Sequence, residues 1–137
     1  MSSCANVEGV YTYNPDTEMW EKRPPKGRLR VYVLVNVMCI EKCRGFLEDL
    51  TELLKEPSRR GHASLSIVMC TRFSKICRDT QAKELFRKFG IIASPSLVAE
   101  LDGKVLAKLQ GTARIEEGFE EFVRTLSEAL KRVASPA

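Results

Sequence analysis

The chain has a single histidine, only five cysteines, and no apolar run near the roughly 18 residues that a membrane span requires. The lone His62 lies beside Gly61 and follows Arg59 and Arg60, a stretch that reads as a turn. A Ser-His-Asp or Cys-His catalytic unit therefore finds no well-placed base. Five cysteines in 137 residues fall well short of the roughly 8 to 10% that marks a disulfide scaffold. The opening residues Met1-Ser-Ser-Cys-Ala-Asn6 carry neither the basic nor the apolar region of a secretory signal. Together these absences predict a cytoplasmic protein that makes no membrane contact. Internal repeats and low-complexity tracts are absent too, so one domain with one core is expected at this length.

What is present is ordinary globular composition, 44% hydrophobic and 29% charged residues, which excludes a disordered or collagen-like polymer. The 22 basic and 18 acidic residues are largely interspersed, so the net charge of +4 speaks to solubility more than to a partner. Basic residues are densest from Glu21 to Arg30, where Pro24, Pro25 and Gly27 favour a solvated linker over a phosphate-binding patch. No nucleic-acid partner is expected.

Residues 10–20 read as a hairpin around Asn14-Pro-Asp-Thr17, because Pro15 presets a turn dihedral and Asn14 and Asp16 can bond the local backbone. Arg30–Val37 is a nearly continuous run of strand formers, the pattern of a central strand covered on both faces with parallel neighbours. From Arg44 the period changes: Phe46, Leu47, Leu50, Leu53 and Leu54 form one helical stripe, ended by Pro57 and Gly61. Leu65–Cys70 is a second buried strand. Ser74–Phe89 reads as a helix, with Ser74 as N-cap and Ile76, Leu85, Phe86 and Phe89 inward. Ser96–Leu101 and Lys104–Leu109 flank Asp102-Gly103, the strongest short signal for a two-residue hairpin, and Gly111 then breaks the strand. Arg114–Val133 carries a last apolar face, with Gly118 weakening its first turn. A strand-helix-strand unit pairs in parallel while a tight hairpin is antiparallel, so the expected product is a mixed sheet with helices on both faces.

Two thiols, Cys39 and Cys43, sit where the first long strand gives way to a helix. A cysteine at a helix N-terminus faces unpaired N–H groups and the positive end of the helix dipole, which favour thiolate over thiol. Lys42 and Arg44 act in the same direction. Cys43 is accordingly the best nucleophile, unless it is a buried apolar residue or half of a static bridge. Residues four apart on a helix fall within the roughly 4.4 to 6.8 Å that a disulfide spans, so Cys39 can resolve a mixed disulfide on Cys43. Cys70 ends the neighbouring strand and Cys77 is expected to begin the next helix, so both should lie near the same sheet edge. Additional disulfides such as Cys39–Cys70 or Cys70–Cys77 are open, as is a tetrathiolate metal site. The spacings 39/43 and 70/77 lack the paired Cys-x-x-Cys of a zinc ribbon, so no metal is expected.

The element order, the thiol at the first strand-helix junction, and Phe89-Gly-Ile-Ile-Ala-Ser-Pro95 before the hairpin resemble the thioredoxin family over about residues 30–133. The resemblance implies a thioredoxin-like α/β domain at 30–137, with an N-terminal hairpin and linker extension at 1–29. It also implies that Pro95 is cis and that Ser94 and Pro95 shape a substrate groove against the reactive sulfur. The chain departs from the family motif at several places: Cys43-Arg-Gly-Phe46 has Phe at the resolving position, Lys42 replaces a tryptophan, and Asn36 replaces a buried acid. The function so implied is a thiol-disulfide oxidoreductase acting on protein disulfides, with Cys43 attacking, Cys39 resolving, a reducing partner and no cofactor. The alternative is a non-catalytic interaction protein of the same fold whose cysteines form structural disulfides. Self-association into a homo-oligomer is left open.

Overall fold

The computed structural model describes residues 7–36, 44–71 and 76–134. Within them the order is β1 (Gly9–Asn14), β2 (Met19–Lys22), β3 (Leu29–Asn36), α1 (Arg44–Arg59), β4 (Ala63–Cys70), α2 (Thr80–Lys88), β5 (Ser96–Leu101), β6 (Lys104–Gln110) and α3 (Thr112–Ala134). The six strands form one sheet in the order β2-β1-β4-β3-β5-β6. β3 runs parallel to β4, as the apolar run predicts, but antiparallel to its other neighbour β5. The reason is the connection through α2. It leaves the sheet after Cys70 and returns to the same edge, where Ser96 pairs beside Leu34, so β5 starts where β3 ends.

Side-chain alternation along β3 sorts the core into two layers. Val31, Val33 and Val35 join Leu50 and Leu54 of α1 and Ile115, Phe122 and Leu126 of α3 on one face. Tyr32 and Leu34 join Ala82 and Phe86 of α2, with Phe89 and Ile91, on the other. Both faces of β3 and β4 are therefore largely buried, and the two serines on β4, Ser64 and Ser66, are buried with hydrogen-bond partners in Lys26 N and Thr12 Oγ1.

The N-terminal hairpin is part of this sheet, since β1 pairs antiparallel with β4. Its turn forms as the sequence suggests: Asn14 Oδ1 accepts from the N–H groups of Asp16 at 2.9 Å and Thr17 at 3.4 Å. Arg59, at the end of α1, donates to Asp16 and to the Pro15 carbonyl and so ties the hairpin tip to the helix. The basic stretch before β3 is partly engaged within the fold, with Arg28 bidentate on Asp102 at 2.9 Å and Arg30 donating to the Gly27 carbonyl.

Three local expectations are corrected. α1 runs through Pro57 to Arg59, because a proline in the last turn forgoes one helical hydrogen bond while the chain beyond it still closes onto Glu56, Pro57 and Ser58. α2 begins at Thr80 rather than near Ser74, with Asp79 as its N-cap: Asp79 Oδ1 accepts from Ala82 N at 2.9 Å. Ile76 is consequently outside the helix and exposed, and Ser74 lies outside the described residues. α3 begins at Thr112, so Gly118 sits in its second turn. A Cβ there would lie 3.0 Å from Leu109 Cδ2. Close passage of the helix over β6 thus explains a glycine that propensity alone makes unfavourable.

Among the described residues no helix is long and apolar enough to cross a membrane.

Candidate functional site

The edge of the sheet at which β3 and β4 end collects the residues of interest. Asn36 closes β3 and lies in register with Cys70, the last residue of β4. Cys39 and Cys43, the expected resolving and attacking thiols, lie outside the described residues, as does Cys4. α1 resumes at Arg44, one position after Cys43 in sequence, and its first turn, Arg44-Gly-Phe-Leu47, contains no acid. Phe46 meets Phe119 of α3 with ring centroids 5.2 Å apart, which anchors this end of the helix.

Ser94 and Pro95 come to the same edge, and the Ser94–Pro95 peptide bond is cis, as the resemblance implied. Ser94 Oγ accepts from the Asn36 N–H at 2.9 Å, so the serine side chain takes the place of a sheet partner at the end of β3. Pro95 is buried and its carbonyl accepts from Gly111 N at 2.8 Å, while Ser96 Oγ donates to the Ala93 carbonyl at 2.7 Å. Gln110 braces the preceding turn, accepting from Ile92 N and donating to the Gly90 carbonyl. The result is a rigid ledge, with the Ile92 side chain 81% exposed beside it. Asn36 cannot ionise, so the ledge holds no proton-relay carboxylate at this position.

Cys70 and Cys77 are joined in a disulfide, with Cα atoms 5.0 Å apart. Both are buried against the α2 layer. This selects one of the bridges left open by the sequence and removes Cys39–Cys70; it also takes two sulfurs out of any tetrathiolate. Cys77 precedes α2 rather than beginning it, because Asp79 supplies the cap. Among the described residues no cluster of three or more His, Cys, Asp or Glu side chains is placed to hold a metal.

One functional-looking residue gave no sequence signal. Glu8, just before β1, accepts backbone hydrogen bonds from Thr71 N at 2.8 Å, Arg78 N at 2.7 Å and Asp79 N at 3.3 Å. Hydrogen bonding by the Thr71 side chain, then by the N–H groups of Arg78, Thr71 and Asp79, outweighs partial desolvation. It holds the carboxyl at about 2, well below its ordinary 4.5. The contact spans more than sixty residues of sequence, and the β1–β4 pairing is what brings Glu8 to Thr71. Asp79 did leave a signal, a capping residue directly before Thr-Gln-Ala-Lys-Glu-Leu.

With six strands in this order and helices on both faces, the architecture is thioredoxin-like. No protein-family model matches the chain, and no curated protein does. Among solved structures, the thioredoxin from Aeropyrum pernix aligns over 89% of this chain and 97% of its own, with a TM-score of 0.50 at 14% identity. Thioredoxin f2 from Chlamydomonas reinhardtii aligns over 72% and 80%, with a TM-score of 0.47 at 17% identity. Fasciola hepatica thioredoxin aligns over 73% and 83%, with a TM-score of 0.44 at 23% identity. At such identities the likeness concerns the fold, and function rests on the site.

Proposed function

We propose that the protein is a thiol-disulfide oxidoreductase acting on protein disulfides, with residues 30–137 as the working domain and 1–29 as an added hairpin and linker. The Cys43 thiolate attacks a substrate disulfide, forms a mixed disulfide and releases one substrate thiolate. Cys39 then attacks Cys43 Sγ, releases the second substrate thiolate and leaves a Cys39–Cys43 disulfide. A dithiol reducing partner resets the pair by exchange, so no further cofactor is needed. In this reading the protein works in the cytoplasm, where reducing thiol systems regenerate it.

The observation that carries the reading is that α1, described from Arg44 onward, has no acid in Arg44–Leu47 and follows Cys43 in sequence. The cis Ser94–Pro95 ledge, fastened to the end of β3, supports it with a fixed backbone against which an extended substrate can lie. The test is turnover of a protein disulfide with a dithiol reductant. Cys43→Ser is expected to lose activity entirely and Cys39→Ser to stall at a trapped mixed disulfide. Full activity in Cys43→Ser would remove Cys43 as the nucleophile.

The buried Cys70–Cys77 bridge favours a second reading, a non-catalytic thioredoxin-fold interaction protein, monomeric or self-associating, whose cysteines are structural. Alkylation mapping after mild dithiol treatment of the folded protein separates the two. Opening of a Cys39–Cys43 pair supports exchange; bridges that open only on unfolding support the interaction protein.

A further inference from the structure

The three N–H groups that converge on Glu8 come from both ends of one loop. Thr71 follows Cys70, and Arg78 and Asp79 follow Cys77, so the carboxylate and the disulfide close the same loop from two sides. We propose that Glu8 and the Cys70–Cys77 bridge form a coupled, redox-responsive latch. The bridge holds the donors together for Glu8, and Glu8 in turn favours the oxidised form. Val7 and Ile76, 56% and 50% exposed, flank the clamp together with Arg78, so it is open to solvent on one side. Lys22 pairs with Asp79 at 3.8 Å and adds a cation next to it.

The geometry makes the coupling reciprocal. A bridge between Cα atoms 5.0 Å apart holds Thr71 N and Arg78 N within reach of one carboxylate. Opening it frees the two ends to separate, after which the carboxylate can satisfy only one of them. Reduction by a dithiol delivers two electrons and two protons to Cys70 and Cys77 and leaves the dithiol as a cyclic disulfide. Whatever free energy the clamp loses on opening is the amount by which Glu8 stabilises the oxidised form. Because Cys70 sits in register with Asn36 at the end of β3, the latch acts at the sheet edge that carries the candidate site.

The experiment uses full-length protein carrying Cys4→Ser, Cys39→Ser and Cys43→Ser, so that its outcome does not depend on the proposed catalytic pair. The protein is equilibrated from both directions in mixtures of reduced and oxidised dithiothreitol, and the fraction of closed bridge is read by alkylation and intact mass. Glu8→Gln is expected to make the bridge roughly tenfold easier to reduce, equivalent to about 30 mV for two electrons. In the parent, the Glu8 carboxyl, followed by carbon NMR, is expected to titrate near 2 with the bridge closed and to move toward 4.5 when it is open. A bridge equilibrium unchanged within twofold, a Glu8 titration indifferent to oxidation state, or a bridge that stays closed in both proteins across the whole range would each overturn the latch.

Discussion

Replacing Glu8 by glutamine also tests whether the clamp contributes to global stability with the pH dependence its geometry demands. Glutamine keeps the size and an acceptor oxygen but removes the charge, so the bonds from Thr71, Arg78 and Asp79 weaken without a cavity opening. At about 1.4 kcal/mol per pH unit, a fall in the carboxyl from 4.5 to about 2 sets an upper bound of roughly 3.5 kcal/mol. The group is only partly buried, and solvent screening reduces this to about 1–2 kcal/mol. The sign follows from linkage: a carboxyl depressed in the folded state stabilises above its unfolded value of 4.5, and that stabilisation drains away as pH falls through 4.5 toward 2. Urea unfolding of the parent and of Glu8→Gln, both oxidised, should therefore differ by about 1–2 kcal/mol at pH 7 and by less than half of that at pH 3. An equal difference at the two pH values would refute the reasoning, because it would mean the loss comes from packing and not from the charge.

Other consequences are equally open to measurement. Phe86→Ala removes a side chain that is 1% exposed at the centre of the α2 layer and should cost about 3–5 kcal/mol, read as a lowered urea midpoint. Ser94→Ala leaves the Asn36 N–H without its acceptor and should cost about 1–3 kcal/mol, with hydrogen exchange at Asn36 accelerated more than elsewhere in β3. Glu100 is buried on β5, with Lys88 Nζ 2.7 Å from its Oε2 in an ion pair that lacks hydrogen-bond geometry and Tyr32 donating to Oε1 at 3.5 Å. Lys88→Met strands that carboxylate and should destabilise by about 2–3 kcal/mol, less than for a wholly buried pair because Lys88 is half-exposed. Much of the loss should return in Lys88→Met with Glu100→Met. A double variant as unstable as the single one would show that the charge is not what matters.

The strands, the three helices and the Asp102-Gly103 turn were legible in the sequence because each rests on a short-range pattern. The buried runs of β3 and β4, the Leu50 and Leu54 stripe of α1, and positive φ at Asp102 and Gly103 are all written within a few residues of chain. Where one local signal competed with another, the reading slipped. Ser74 and Asp79 are both capping residues, and what favours Asp79 is that Cys77 is tied back to Cys70 and Glu8 occupies the N–H groups just ahead of the helix. Gly118 looked like a weak helix start until its close approach to Leu109 was in view.

By itself, then, the sequence determined the elements, the mixed sheet and the order in which thiols, proline and hairpin follow one another, since periodicity and turn chemistry act locally. Tertiary structure alone decided that β1 docks antiparallel on β4, that Cys70 pairs with Cys77, that Ser94 caps β3, and that Glu8 closes the loop beside them. Each of these joins groups distant in sequence or chooses among several equally plausible partners. A hydrogen bond or a disulfide forms only between atoms that the fold brings within a few ångströms, and no local pattern records that distance.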